Sequence, residues 1–173
     1  MKISRKVREY KDVIKGNVWV FPDNIDTDAI SPSQYINDPK EMAKHTCETI
    51  NKDFASKVKD GDIIVAGRYF GCGSSRETAP TILQQKGIVT IIAESFARIF
   101  YRSSFALALP VLEIDDISKH FKTGEKIEVD IPNAEVTNLA SGTKFKGTKI
   151  HPILLNLLKA GGLEKQLLEE LGK

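Results

Sequence analysis

The chain has 173 residues, 41% of them hydrophobic and 28% charged, which suits one globular domain with a buried core and excludes a disordered or collagen-like polymer. Its 25 lysine and arginine residues nearly balance 23 aspartate and glutamate, a formal net charge of +2, and that evenness excludes a nucleic-acid surface. Two cysteines, Cys47 and Cys72, exclude a disulfide scaffold and any zinc or iron–sulfur centre held by this chain alone.

Residues 15–21 (KGNVWVF) read as a strand, with Val18 and Val20 on one face and Trp19 and Phe21 on the other. Pro22 ends it, and a polar loop follows with Asp23, Asp26 and Asp28. The loop lacks the glycine and distal glutamate of a calcium site. Asp23 therefore reads as a turn cap, and Asp26 and Asp28, on either side of Thr27, point in different directions. Pro32 and Pro39 bracket a second loop around Tyr35-Ile36-Asn37-Asp38. Asp38 as N-cap and Pro39 in the first turn predict a helix running to about residue 50, with Met42, Ala43 and Thr46 on one side.

Asp60-Gly61 marks a turn before a buried strand at 62–67 and a glycine-rich loop at 67–75. Ser74 or Ser75 caps the next helix, which runs to about residue 86 and stops at Gly87. A buried strand at 88–93, a helix at 95–107 with Phe96, Ile99 and Phe100 at helical spacing, and a strand at 110–114 complete a βαβαβ series. That order predicts a parallel sheet. After Asp116 the pattern shifts to strands at 125–131 and 144–149, read as a β-rich cover, and to two short helices over 152–171 broken at Gly161-Gly162. No membrane segment is expected, because Glu94, Arg98 and Arg102 interrupt the most apolar stretch short of the ~20 residues that a spanning helix needs. The first ten residues carry no apolar leader, so the expected location is cytoplasmic.

The sharpest chemical feature is the loop Gly71-Cys72-Gly73-Ser74-Ser75-Arg76-Glu77, between a buried strand and a helix start. Its glycines let backbone approach a ligand, and free N–H groups with the helix dipole favour an anion. Arg76 adds a fork that holds a carboxylate in two parallel bonds. The loop therefore suits an anionic small molecule, a carboxylate or a phosphate, although an ordinary serine-capped turn has the same local pattern. It is not a Walker loop or a nucleophile elbow. His45, His120 and His151 stand in no triad context and read as surface or structural residues. Ser141 and Lys144 have Ser-x-x-Lys spacing but fall in a predicted hairpin turn. Cys72 reads either as a thiol activated by positive surroundings or as a small residue in a tight loop.

Three segments occur in order: Asp23-Asn24-Ile25-Asp26-Thr27-Asp28-Ala29-Ile30, Gly67-Arg68-Tyr69-Phe70-Gly71-Cys72-Gly73-Ser74-Ser75-Arg76-Glu77 and Glu94-Ser95-Phe96-Ala97-Arg98-Ile99-Phe100-Tyr101-Arg102. Together they resemble the small subunits of 3-isopropylmalate dehydratase and homoaconitase, which correspond to the swivelling C-terminal domain of aconitase. The resemblance spans most of the chain, from about residue 16 to Leu163. It implies an α/β fold, a single swivelling β/β/α domain over 1–173, and a hydro-lyase that dehydrates and rehydrates a hydroxy-dicarboxylate. For the isopropylmalate enzyme this interconverts 2- and 3-isopropylmalate in leucine biosynthesis.

The resemblance also implies a partner, a large subunit carrying a [4Fe–4S] cluster, in a heterodimer or heterotetramer. Ser74 matches the serine that acts as base, Arg76 a substrate-carboxylate ligand, and Ser75 a flanking substrate contact. Asp28 matches an acidic residue near the active site whose work is positioning, and Ser31 a serine of the same motif. A serine base needs its alkoxide stabilised by N–H groups and a guanidinium, which the loop supplies. Specificity in the family is read largely from the loop holding Tyr35 and Ile36. Ile36 suits an apolar substituent, while Asn37 and Asp38 offer no cation for a third carboxylate.

Four positions depart from the family pattern: Thr78 stands for a usual histidine, and Ser103, Ala106 and Ala108 for common asparagine, asparagine and glycine. Homoaconitase and methylated-malate dehydratases remain alternatives. A non-catalytic sensor of anionic metabolites, working without a partner, is a reading from another class.

Overall fold

The computed structural model describes residues 8–74 and 77–172. Seven strands among them form a mixed sheet: β1 (Val13–Phe21), β2 (Ile63–Ala66), β3 (Thr90–Ala93), β4 (Val111–Glu113), β5 (Lys126–Asp130), β6 (Glu135–Asn138) and β7 (Lys144–Lys146), in the order β4-β3-β2-β1-β5-β6-β7. The α/β class is as expected. β1 joins the two halves: Val18 through Phe21 pair in parallel with β2, and Val13 through Asn17 pair antiparallel with β5.

The parallel half follows the predicted βαβαβ series, with α4 (Thr78–Lys86) between β2 and β3 and α5 (Arg98–Ala106) between β3 and β4. Helices on a parallel sheet bury both faces of its strands, which is why these segments are continuous apolar runs. Trp19 shows how the polar atoms inside are satisfied. Its indole N–H donates to Asp62 Oδ2 at 2.9 Å, and the same carboxylate accepts from Asn17 and from the Lys59 backbone N–H.

The structure corrects several boundaries. One helical turn, α1 (Thr27–Ile30), stands where a polar loop was expected; Asp26 caps it by accepting from the Asp28 N–H. α2 (Pro39–His45) starts as predicted, with Asp38 accepting from Lys40 and Glu41 N–H groups, but it ends five residues early. Thr46 leaves the helical region and turns its hydroxyl back onto the Met42 carbonyl. Cys47 adopts φ +58° and gives its N–H to Ala29. A further turn, α3 (Phe54–Lys57), buries Phe54 against Trp19 and Phe21.

α4 begins at Thr78 with Glu77 at its cap, so Ser74 is not the cap; Ser75 lies outside the described residues. α5 begins at Arg98 because Ser95 and Ala97 are engaged by Phe70 instead. β6 was not expected from the sequence. The C-terminal helices α6 (Pro152–Ala160) and α7 (Leu163–Glu170) break at Gly161-Gly162 as predicted. No helix among the described residues is long and apolar enough to cross a membrane.

Candidate active site

The three sequence segments follow β1, β2 and β3 directly. Strand register places Phe21, Ala66 and Ala93 side by side, so the three loops leave the sheet at one level, from the carboxyl ends of parallel strands. In open α/β sheets that edge is where ligands bind.

Backbone bonds knit the first two loops together. Gly71 and Cys72 N–H groups both donate to the Ile25 carbonyl at 2.8 and 3.0 Å, Thr27 N–H donates to the Cys72 carbonyl at 2.8 Å, and Asn24 N–H donates to the Arg68 carbonyl at 2.7 Å. The Thr27 hydroxyl adds a bond to the Ser74 carbonyl at 2.9 Å. The third loop joins through Phe70, whose N–H donates to Ser95 and whose carbonyl accepts from Ala97, both at 2.9 Å. Beneath these bonds the rings of Phe70, Phe96 and Phe100 pack within 5.2–6.2 Å of one another.

Two glycines are required here. Gly71 has φ +78°, and any Cβ on it would run into the Phe100 side chain. Gly73 has φ +92°, and a Cβ there would lie 2.5 Å from Asp26 Oδ2. Both let the loop carrying Ser74 lie flat against its neighbours.

Ser74 is exposed at the end of this cradle, and Ser75 and Arg76, which follow it, lie outside the described residues. Asp28 is exposed, and its carboxylate accepts the Ser33 N–H at 3.0 Å. That bond fixes the start of a 3-10 turn, Ser33–Tyr35, with Ile36 at its tip and 45% exposed. Ser31 differs from the others. It is fully buried, its hydroxyl donates to the Thr27 carbonyl, and it meets the Thr78 hydroxyl at 3.1 Å. Ser31 therefore ties α1 to α4, and Thr78 is its partner. Ala108, where the resemblance leads to an expectation of glycine, takes φ +55°.

The three aspartates of the first loop each hold backbone: Asp23 accepts from Arg68 N–H at 2.7 Å, Asp26 caps α1, and Asp28 holds Ser33. Among the described residues no group of three or more histidine, cysteine, aspartate or glutamate side chains could hold a metal. Cys72 does not sit in positive surroundings among these residues: burial, and then the Asp26 carboxylate, push its thiol up from the ordinary range. Cys47 is fully buried, and burial alone raises its thiol strongly. The histidines serve locally. His45 lies between Glu48 and Glu41, His120 packs on Phe145, and His151 caps α6. Ser141 and Lys144 lie on the turn and strand of the β6–β7 hairpin, as expected.

Sequence reading missed Thr27 as a site residue, although it binds two points of the second loop. The available signal was its position between two aspartates, directly after an N-cap residue, where a less polar side chain turns inward. It also missed Glu94, whose nearly buried carboxylate accepts from Ser118 and pairs with Arg68 across the second and third loops.

The chain is similar to known proteins. The family described as the aconitase C-terminal domain matches residues 20–116, the stretch from the last two residues of β1 to just past β4 that holds the three motifs. A 3-isopropylmalate dehydratase small subunit from Thermodesulfovibrio yellowstonii is 50% identical over 152 residues, 87% of this chain and 90% of its own. An isopropylmalate/citramalate isomerase small subunit from Methanocaldococcus jannaschii is 44% identical over 165 residues, 94% of this chain and 98% of its own. A crystal structure of a 3-isopropylmalate dehydratase from Methanocaldococcus jannaschii has a TM-score of 0.85 at 39% identity, covering 91% of this chain and 95% of that one.

Proposed function

We propose, for a chain that belongs to the aconitase C-terminal domain family and within it to the 3-isopropylmalate dehydratase small subunits, that it forms one wall of a hydro-lyase active site interconverting 2- and 3-isopropylmalate in leucine biosynthesis. A small subunit works with a large one. The finer part of the proposal is that this large subunit carries a [4Fe–4S] cluster, in a heterodimer or heterotetramer. The donors of this chain do not fit such a cluster, since Cys47 is sealed in the core and Cys72 alone cannot supply the several thiolates that a cluster takes. That mismatch supports placing the cluster on the partner.

The observation that carries the reading is the convergence of all three motifs at the carboxyl edge of β1–β3, with Ser74 exposed above them. In this reading Ser74 Oγ removes the proton from the carbon beside a substrate carboxylate and returns one on rehydration. The alkoxide form is disfavoured in water and needs N–H donors and a guanidinium nearby; the loop backbone and Arg76 fill those roles. Arg76 and Ser75 bind the substrate carboxylate. Asp28 positions the turn bearing Ile36, and Ser31 holds α1 against α4. Ile36 lines the space for the isopropyl group. Asn37 and Asp38, the latter already accepting two N–H bonds, themselves offer no cation for a third carboxylate, which disfavours homoaconitase substrates.

The test is co-expression with a cluster-bearing large subunit and assay of the purified complex. Isopropylmalate turnover should require both chains, and turnover by this chain alone without iron would overturn the proposal. Ser74→Ala in the complex should lower kcat about a hundredfold or more, the usual worth of a positioned proton-transfer group, while the two chains still co-purify.

A further inference from the structure

The turn that presents Ile36 is held at three points. Asp28 fixes its start through the Ser33 N–H, the Asp38 N–H fixes its end by donating to the Tyr35 carbonyl at 2.9 Å, and the ring of His45 stacks on Tyr35 with centroids 4.5 Å apart and planes 16° apart. The first of these clamps is a carboxylate on a backbone N–H and the second a backbone–backbone bond. The third is a side chain at the C-terminal end of α2, and it is itself gripped from both sides: Nδ1 meets Glu48 Oε2 at 2.5 Å and Nε2 meets Glu41 Oε1 at 3.3 Å. A ring held by both nitrogens cannot turn, so the face it offers Tyr35 is set.

We propose that His45 is a positioning residue for substrate discrimination, locking Tyr35 and hence Ile36 in the wall that receives the substrate's apolar substituent. This rests on Ile36 lining that wall. The lock is strongest when both ring nitrogens carry protons, because each then donates to a carboxylate. Glu48 first, then Glu41, hold the imidazolium to higher pH than an ordinary histidine. Lys44 of the same helix shares the Glu41 carboxylate through its other oxygen, whereas Lys57 of α3 pairs with Asp53 and Lys86 of α4 with the Ala55 carbonyl. The charged form is thus present below the raised pKa and lost as pH rises through it. Discrimination falls in the same direction.

The experiment uses two substrates that differ in the group facing Ile36, 3-isopropylmalate and citramalate, with the assembled enzyme. The ratio of their kcat/KM values cancels titrations of catalytic groups common to both. His45→Ala should lower the preference for the isopropyl substrate about threefold, in keeping with a partly exposed contact, and flatten the ratio's pH dependence. His45→Phe, which keeps a ring on Tyr35 but no charge, should restore most of the preference without restoring the pH dependence. A ratio unchanged in His45→Ala overturns the proposal. In parallel, NMR on the full chain without its partner should show the Ile36 amide shifting with the His45 titration. An Ile36 amide indifferent to that titration overturns the proposal even if no substrate is turned over, whereas a coupled amide with no turnover of either substrate overturns the functional reading alone.

Discussion

Along β2 and β3 every residue from Ile63 to Ala66 and from Thr90 to Ala93 is buried, whereas along β5 burial alternates, with Ile127 and Val129 inside and Lys126, Glu128 and Asp130 turned toward solvent. The parallel half is covered on both faces by helices, so its strands end in long connections that must cross an edge of the sheet. Those connections became the site. The antiparallel half returns through short turns, such as the one closed by the Gly142 N–H on Asn138, and has one wet face. It braces β1 and carries none of the three motifs. The same strand serves both halves, so the division is one of cover and connection rather than of strand sequence.

Three substitutions probe that division, and the most damaging lies under the site. Phe70→Ala should cost about 3–5 kcal/mol in urea unfolding, because Phe70 is fully buried and packs on Phe96 and Phe100. Val136→Ala, in the fully buried inner face of β6, should cost only about 1–2 kcal/mol for its two lost methyl groups. A loss there as large as that of Phe70→Ala would erase the proposed difference between the halves. Smallest, and opposite in sign, is Ala108→Gly. The residue sits at φ +55°, where a Cβ costs about 1–2 kcal/mol. The extra unfolded-state freedom of glycine takes back about 0.4–1 kcal/mol. A net gain of about 0.5 kcal/mol should appear as a higher urea midpoint, and a lower midpoint would mean that the left-handed turn carries no strain.

The parallel half was legible because its strands are unbroken apolar runs bounded by Asp60-Gly61, Gly87 and Pro110, signals contained within a few residues. The start of α2 was legible for the same reason, since Asp38 and Pro39 are local. What escaped notice depended on distant partners. α1 forms because Thr27 finds the Cys72 and Ser74 carbonyls some 45 residues on, and α5 starts late because Phe70 takes Ser95 and Ala97 first. β6 has only Val136 and Asn138 facing inward, too few to mark a strand until β5 and β7 flank it.

The candidate site divides in the same manner. Ser74, Asp28 and Ile36 were readable as residue types in a pattern. The roles of Ser31, Thr27 and Thr78 were not readable, and neither was the Asp26 carboxylate beside Cys72. The amino-acid sequence by itself determined the α/β class, the order of the parallel unit, the glycine-rich anion loop and the small-subunit family, because periodicity, turn chemistry and short motifs are carried by near neighbours. The tertiary structure alone decided which hydroxyls and carboxylates hold backbone and which face solvent, since burial and hydrogen-bond partners depend on atoms brought together from strands far apart in the chain.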